Sequence, residues 1–547
     1  MLELTLPFFA ILPILISVFL YVFSSGAMSR KIAIVFQSCF VAFSGWLLFY
    51  SQRETVLINI GSYENFLGIT LRADSLAAVF VLLTSVIFLA VALYSLNDNT
   101  PSMFWFLLFI LEGVLVGLFL TRDLFNVFVL VEVGTVVVAV LLMYEREWRK
   151  MYAGLVFIII NVIVMQFFLY GLGYIYMMTG VLDMEEIAPK IADLSIQEVA
   201  LPYTLIMTSI VAKCSMLPIL TFFPKINSLP GARSSIAGIM SAIHIKSGLY
   251  LFIRVQDIFG WNYNTVTFFL VLGIITAFAG IILALAQRDI RLILAHSTVA
   301  QVSLAVIGLN LNDDYSYTGA VFHIVNHAIF KLALFMGAGM IRHRYKTADV
   351  TKIRGLYKSS PIIAISTAMS LLGIAGMPLF NGFISKYFLG YGATGAMEWI
   401  INLINFGTIL ICLRYASIFL RTSSSTSSPN SSSSSVDLID ATKPVADWYK
   451  QITILVLGII CFIIGIAGIP IMQFLFNTTV NVSFVSMLNK VIVFFASLVI
   501  GLLFFKFGFV KIQDKLFALL ADIDLNVRVI CVSMGVFFAT FLIFVGL

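Results

Sequence analysis

Residues 318–341 read TGAVFHIVNHAIFKLALFMGAGMI. As a helix rising about 1.5 Å per residue, a stretch of this length outspans the roughly 30 Å of hydrocarbon in a bilayer. It is apolar almost throughout, yet His323, His327 and Lys331 recur at i, i+4 and i+8 on one face. A passive lipid anchor has no use for three ionisable groups, each expensive at membrane depth. The stretch therefore reads as one span of a larger membrane bundle, its charged stripe turned toward other helices.

The surrounding sequence agrees. Of 547 residues, 61% are hydrophobic and only 11% charged, against about 25% charged in an ordinary soluble domain. Apolar runs of spanning length fall near 3–23, 30–50, 74–96, 103–120, 124–143, 153–179, 201–223 and 234–256. A second series follows near 263–286, 291–310, 318–341, 361–391, 397–420, 452–474, 485–507 and 526–546. The expected fold is an all-α polytopic membrane protein of about 14–16 transmembrane helices. Residues 3–23 carry Glu3 where a signal peptide has its basic region, so they read as a first span. Nucleic-acid binding and disulfide scaffolds are excluded as leading ideas. The cysteines Cys39, Cys214, Cys412, Cys461 and Cys531 are scattered in apolar stretches without a CxxC pair, which argues for buried thiols and against zinc or iron–sulfur ligation.

Loop charges give the orientation. Arg30, Lys31, Arg146, Arg149, Lys150, Lys225, Arg233 and the cluster from Arg342 to Lys358 all follow odd-numbered spans, whereas Asp183–Glu198 and Asp313–Asp314 follow even-numbered ones. The positive-inside rule then sets both termini outside a bacterial or archaeal inner membrane. Residues 422–435 (TSSSTSSPNSSSSS) are too polar for lipid and too poor in apolar residues to fold, and read as part of a flexible cytoplasmic linker, 422–450.

Two spans are interrupted by proline, at Met216-Leu217-Pro218 and at Gly376-Met377-Pro378. Proline removes an i to i−4 hydrogen bond and opens the helix. Such breaks are tolerated in a membrane only where protein or water covers the freed backbone. Breaks five spans apart predict two inverted five-helix repeats, each with a broken helix, as in many ion transporters. The chain then divides into 1–102, a first repeat 103–256, a second repeat 257–421, the linker 422–450 and C-terminal helices 451–547.

The ionisable residues inside spans are the candidate site. Glu132, Lys213, Lys246, His323, His327, Lys331 and Lys386 form the main series, with Glu112, His244 and His296 as secondary candidates. The chemistry this favours is proton relay: a Glu–Lys pair about 6 Å apart at an effective dielectric of about 20 interacts by roughly 3 kcal/mol. Moving Glu132 relative to Lys213 could thus load or unload a proton, with histidines and trapped water carrying it between lysines. No cofactor is required. Two histidines at i, i+4 could bind a metal, but no further ligand cluster accompanies them. For Lys386 and His296, near span ends, snorkelling to the interface is the alternative; for His244 it is a hydrogen bond to neighbouring backbone.

These residues sit in recognisable stretches: Leu71-Arg-Ala-Asp-Ser75, Thr121-Arg-Asp-Leu-Phe-Asn-Val-Phe-Val-Leu-Val-Glu132, Gln287-Arg-Asp-Ile-Arg-Leu-Ile-Leu-Ala-His-Ser-Thr-Val-Ala-Gln301 and His323-Ile-Val-Asn-His-Ala-Ile-Phe-Lys-Leu-Ala-Leu-Phe335. The sequence resembles the antiporter-like membrane subunits shared by Mrp-type multisubunit Na+/H+ antiporters, respiratory complex I and membrane-bound hydrogenases. The run before Glu132 looks most like that of the D-type subunits of Mrp antiporters. The resemblance, which covers the first fourteen spans, implies a fourteen-helix fold with two inverted repeats and a Glu132–Lys213 pair. It also implies a relay through Lys246, His323, His327 and Lys331 to a distal lysine at Lys386. The stretch Phe222–Asn227 lacks the family's histidine, and His296 stands where the family more often has tyrosine.

The resulting expectation is a proton-translocating subunit of a multisubunit cation/proton antiporter, moving protons against a monovalent cation, Na+, alongside other membrane subunits. The alternative is an antiporter-like pumping subunit of a redox-driven complex, either a complex I-like NADH:quinone oxidoreductase or a membrane-bound hydrogenase. No dinucleotide-binding glycine pattern is present, so the chain is not expected to be an enzyme itself.

Overall fold

The computed structural model describes residues 3–546, apart from 24–25, 63–67, 99, 221–223, 225–232, 260–264, 420–446, 481 and 521–526. Among the described residues, fourteen helices are long and apolar enough to cross a membrane. The N-terminal part comprises α1 (Leu6–Phe23), α2 (Gly26–Ser51), a short hairpin of β1 (Val56–Asn59) and β2 (Thr70–Ala73), and α3 (Ser75–Tyr94). The strands pair antiparallel from Val56 opposite Ala73 to Asn59 opposite Thr70, a feature the sequence reading did not anticipate.

The first repeat contains α4 (Ser102–Leu120), α5 (Leu124–Met143), α6 (Trp148–Thr179), a short α7 (Met184–Ala192), α8 (Ile196–Lys213) and α9 (Ser234–Ile258). The second contains α10 (Thr265–Ala286), α11 (Ile290–Leu309), α12 (Asp314–Tyr345), the broken pair α13 (Pro361–Ala375) and α14 (Asn381–Leu389), and α15 (Ala396–Ala416). Backbone groups in lipid must be satisfied within the element, so apolar runs of this length can only be helices. Their starts are set by aspartates whose carboxylates accept free amide protons of the first turn: Asp74 for α3, Asp123 for α5, Asp289 for α11 and Asp313 for α12.

The duplication runs on one register of 166 residues. Leu124–Met143 recurs as Ile290–Leu309, and Trp148–Thr179 as Asp314–Tyr345, with no change in length. Isolated bridges join Asp123 to Asp183 and, at the same offset, Asp289 to Asp349. Left-handed residues recur likewise, Arg146 with Asn312 and Gly180 with Lys346. Because five spans separate the copies, an odd number, the two lie in opposite directions.

Both expected breaks are present, and both open before the proline. The α8 helix begins with a Ser195–Glu198 capping box and ends at Lys213; α13 ends at Ala375, followed by Gly376 at φ 81°. Backbone packs directly against the second break: a Cβ on Gly382 would lie 1.8 Å from the Gly373 carbonyl oxygen. Of the continuation of the first break through Phe222–Asn227, all but Pro224 lies outside the described residues.

The C-terminal region departs from the sequence expectation in two places. The span expected at 452–474 is two helices, α16 (Trp448–Ile466) and α17 (Gly468–Phe476), separated at Ala467. The linker expected to reach Lys450 stops short of it, since α16 already starts at Trp448; the low-complexity part lies outside the described residues. There Lys450 pairs with Asp98 and stands 5.4 Å over the Tyr94 ring, fixing the start of α16 to the end of α3. Next come α18 (Phe484–Phe504), a π-helical turn Phe505–Phe509, α19 (Val510–Leu520) and α20 (Val527–Gly546). α18 packs on α15 of the second repeat, α19 on α10, and α20 on α8 of the first. Phe541 of α20 stacks on Phe268 at 4.4 Å and tilts against Tyr203 at 5.9 Å. The C-terminal segment therefore bridges the two repeats.

Candidate functional site

Lys213 is the last helical residue before the first break. Its ammonium donates to Thr135 Oγ1 at 3.1 Å and to Asn161 Oδ1 at 2.8 Å, one partner each from α5 and α6. Glu132 lies one turn before Thr135 on α5, half-buried, with Oε1 lacking a hydrogen-bond partner. The expected Glu132–Lys213 pair is thus two side chains on neighbouring helices without a direct ion pair. A cavity of about 10 Å³ lies between Lys213, His244 and Ser247, at the threshold for holding one water molecule. The His244 ring packs 6.1 Å from Phe157, and its Nδ1 has no hydrogen-bond partner. The bond to neighbouring backbone weighed for His244 is not made through that nitrogen.

The centre of the molecule holds a run of hydrogen-bonded groups between two lysines, each of which donates to a backbone carbonyl, Ser241 or Leu294. Residues Met240–His244 of α9 form a π-helical turn, a local register change that leaves a carbonyl available. The Lys246 ammonium donates to that carbonyl, on Ser241. Ser241 Oγ lies 2.9 Å from Thr298 Oγ1, and Thr298 donates to the Leu294 carbonyl at 3.0 Å. Lys331 reaches the same carbonyl at 2.7 Å and also bonds the Ser297 hydroxyl. Lys246, Thr298, Ser297 and Lys331 are all buried.

On the far side of Lys331 the stripe on α12 continues as expected. His327 is buried with neither ring nitrogen hydrogen-bonded, 6.2 Å from the His323 ring and edge-on to Phe330 at 5.3 Å. His323 Nε2 lies 3.2 Å from Gln301 Oε1 and Nδ1 lies 3.0 Å from Ser385 Oγ. With the amide oxygen accepting, Nε2 carries a proton, while the Ser385 hydroxyl beside Nδ1 also has the Asn381 and Gly382 carbonyls as acceptors, each at 3.3 Å. The next residue, Lys386, donates to the Ile374 carbonyl at 2.8 Å, at the end of α13. The second break thus supplies the acceptor for the distal lysine. Lys386 and His296 are both buried, 9% and 2% exposed, so neither snorkels.

Two of the expected residues stand apart from this line. Glu112 of α4 is fully buried and accepts from Gln37 Nε2 of α2 at 2.5 Å, among the N-terminal helices. His296 lies on α11, one residue before Ser297. Among the described residues no three or more His, Cys, Asp or Glu side chains converge as a metal site would require.

Residues 121–412, containing both breaks and the whole buried lysine series, match the transmembrane family described as NADH:quinone oxidoreductase/Mrp antiporter. The chain belongs to this antiporter family. It is 31% identical over 347 residues to the D-type subunit of the Na+/H+ antiporter of Alkalihalophilus pseudofirmus, across 62% of this chain and 70% of that one. Its fold is similar to a chain of the Mrp complex from Dietzia sp. DQ12-45-1b, with a TM-score of 0.78 at 20% identity, over 90% of this chain and all of that one. It is also similar to a chain of the archaeal membrane-bound sulfane sulfur reductase, with a TM-score of 0.76 at 22% identity, over 91% and 99%. The sequence relative is named as an antiporter subunit, in keeping with a transporter subunit rather than an enzyme.

Within this antiporter-family chain, the sequence reading singled out charges and passed over their neutral partners. Thr135, Asn161, Gln301, Ser297 and Ser385 hold the lysines and His323 in place. Asn161, alone among isoleucines and valines in IIINVIV, carried the clearest signal.

Proposed function

We propose that the chain is the proton-translocating subunit of a monovalent cation/proton antiporter, with Na+ as the cation. Protons pass along Glu132, Lys213, His244, Lys246, Lys331, His327, His323 and Lys386. The observation that carries this reading is the buried run from Lys246 through Ser241 and Thr298 to Lys331. Each lysine in the series is held by neutral oxygens: hydroxyls, an amide or backbone carbonyls. A neutral acceptor stabilises an ammonium less than a carboxylate does, so the proton can leave with modest rearrangement. The Ser297 and Thr298 hydroxyls can both accept and donate, and turning away from the Leu294 carbonyl frees them to hand a proton on.

The position of Glu132 adds a partner to this reading. It sits on an α5 face whose Phe125, Val129, Val133 and Val136 are exposed. A carboxylate there costs at least about 2.5–3.5 kcal/mol against lipid. A neighbouring protein of the complex covering α5 removes that cost, in line with the naming of the relatives as parts of larger antiporters. The loop charges favour a Gly390–Gly395 side facing outward and a linker facing the cytoplasm.

The test is cation-dependent proton flux in everted vesicles lacking native antiporters, with the full operon expressed. Na+ should collapse the pH gradient in wild type and fail to do so in Glu132→Ala and Lys213→Ala. Vesicles that ignore Na+ and K+ but acidify on addition of an electron donor would instead establish the redox-driven alternative.

A further inference from the structure

The distal lysine opens onto a chamber that the repeats alone do not enclose. A cavity of about 70 Å³ is lined by Lys386 of α14, Asn402 and Asn405 of α15, and Lys490 and Ser497 of α18. One wall is therefore the C-terminal helix. Two contacts hold that wall in place: Tyr387 bonds Ser486, and Lys490 pairs with Glu398 at 2.6 Å. Asn405 Oδ1 is buried without a hydrogen-bond partner. A buried amide oxygen left unbonded costs about 1–3 kcal/mol, and a water molecule in the adjoining cavity would satisfy it.

From these observations, and resting on the relay reading above, we propose that this cavity is the aqueous portal of the relay. It connects Lys386 to the Gly390–Gly395 side of the membrane, with α18 as a required wall. Its occupants are water and protons. The volume admits a few water molecules, and the Lys386 ammonium at its inner end repels a metal cation, while Lys490 at the rim is neutralised by Glu398. The Glu398–Lys490 pair forms the rim. Asn402, Asn405 and Ser497 supply the polar lining that lets a water chain persist between helices that are otherwise apolar. The C-terminal helices, which the sequence left without a role, thereby complete the path.

The experiment has two arms in the assembled complex, in a background with the exposed Cys39 and Cys531 replaced by serine. In the first, Ser497→Cys and Asn405→Cys are exposed to 2-aminoethyl methanethiosulfonate, with Ile492→Cys on the outer surface of α18 as the lipid-facing control. Labelling of both portal positions at least about tenfold faster than Ile492→Cys is expected; rates equal to that control overturn the proposal. In the second, Asn405→Leu and Ser497→Leu should each lower Na+-driven flux about tenfold or more, while Asn405→Ser keeps it. Wild-type flux in both leucine variants, with Lys213→Ala inactive, overturns the portal and leaves the relay standing. Wild-type flux in Lys213→Ala overturns the relay itself, and the labelling arm still decides whether the chamber is wet.

Discussion

Lys213 Nζ stands 2.8 Å from Asn161 Oδ1, so an amide on α6 anchors the lysine at the end of broken α8. A hydrogen bond to a charged group contributes about 1.5–3 kcal/mol, more than the roughly 1.4 kcal/mol that corresponds to tenfold in rate. Asn161→Leu is therefore expected to lower Na+-dependent proton flux at least about tenfold at unchanged expression. Thr135→Val, which removes the longer of the two bonds at 3.1 Å, should cost less. Equal flux in Asn161→Leu and wild type, measured in the same vesicles, would show that the amide does not position the lysine.

Equivalent arginines of the two repeats are used differently. Arg122 bonds Asp183 at 2.8 Å within its own repeat, both side chains buried. Arg288, 166 residues later, leaves Asp349 and pairs with Asp514 of α19 at 2.8 Å, where both are exposed, with Phe517 stacked 4.3 Å from the guanidinium. Breaking a buried pair costs about 3–5 kcal/mol and an exposed one about 0–1. Thermal unfolding in detergent should thus fall several degrees further for Arg122→Ala than for Arg288→Ala.

Asp74 caps α3 and accepts from Arg254 at 2.7 Å and Arg72 at 3.1 Å. Burial alone would raise its carboxyl, but Arg254, with help from the Ala77 amide and Arg72, outweighs burial and holds it below the usual carboxylate range. Its folded value being depressed, the stabilisation is full at neutral pH and is lost as pH falls through that value. Asp74→Asn is expected to cost about 1.5–3 kcal/mol at pH 7. The gap to wild type should close in melting curves taken below the ordinary carboxylate range.

Lys346 ends α12 in the left-handed region at φ 55°, where the first repeat has Gly180. A side chain there costs about 1–2 kcal/mol, whereas a lysine at a helix C-terminus gains about 0.3–1 from the dipole. The strain is the larger quantity. Lys346→Gly should raise the melting temperature slightly without altering flux; a lower melting temperature would count against this balance.

Much of the architecture was legible because lipid leaves the chain so few options. An apolar run long enough to span must be helical, and Pro218 and Pro378 mark real breaks, whereas Pro13 and Pro202 sit inside unbroken helices. The Arg-Asp pairs at 122–123 and 288–289 already stood one repeat apart. What stayed hidden depended on contacts between distant segments. The π-turn at Met240–His244 leaves no compositional trace, and the hairpin Val56–Ala73 lies in a loop too polar to count as a span. The relay's charges were visible as violations of hydropathy. Of their neutral partners only Asn161 stood out, since serine and threonine are common in membrane helices and become meaningful only when a lysine points at them.

The common register of the two halves makes this chain its own comparison series. Asn161 and His327 occupy the same place in each copy, as do Thr135 and Gln301, and Glu132 and Thr298. One scaffold has thus been fitted with an amide in one half and an imidazole in the other. Exchanging a residue with its twin asks, inside a single polypeptide, which properties belong to the frame and which to the groups mounted on it.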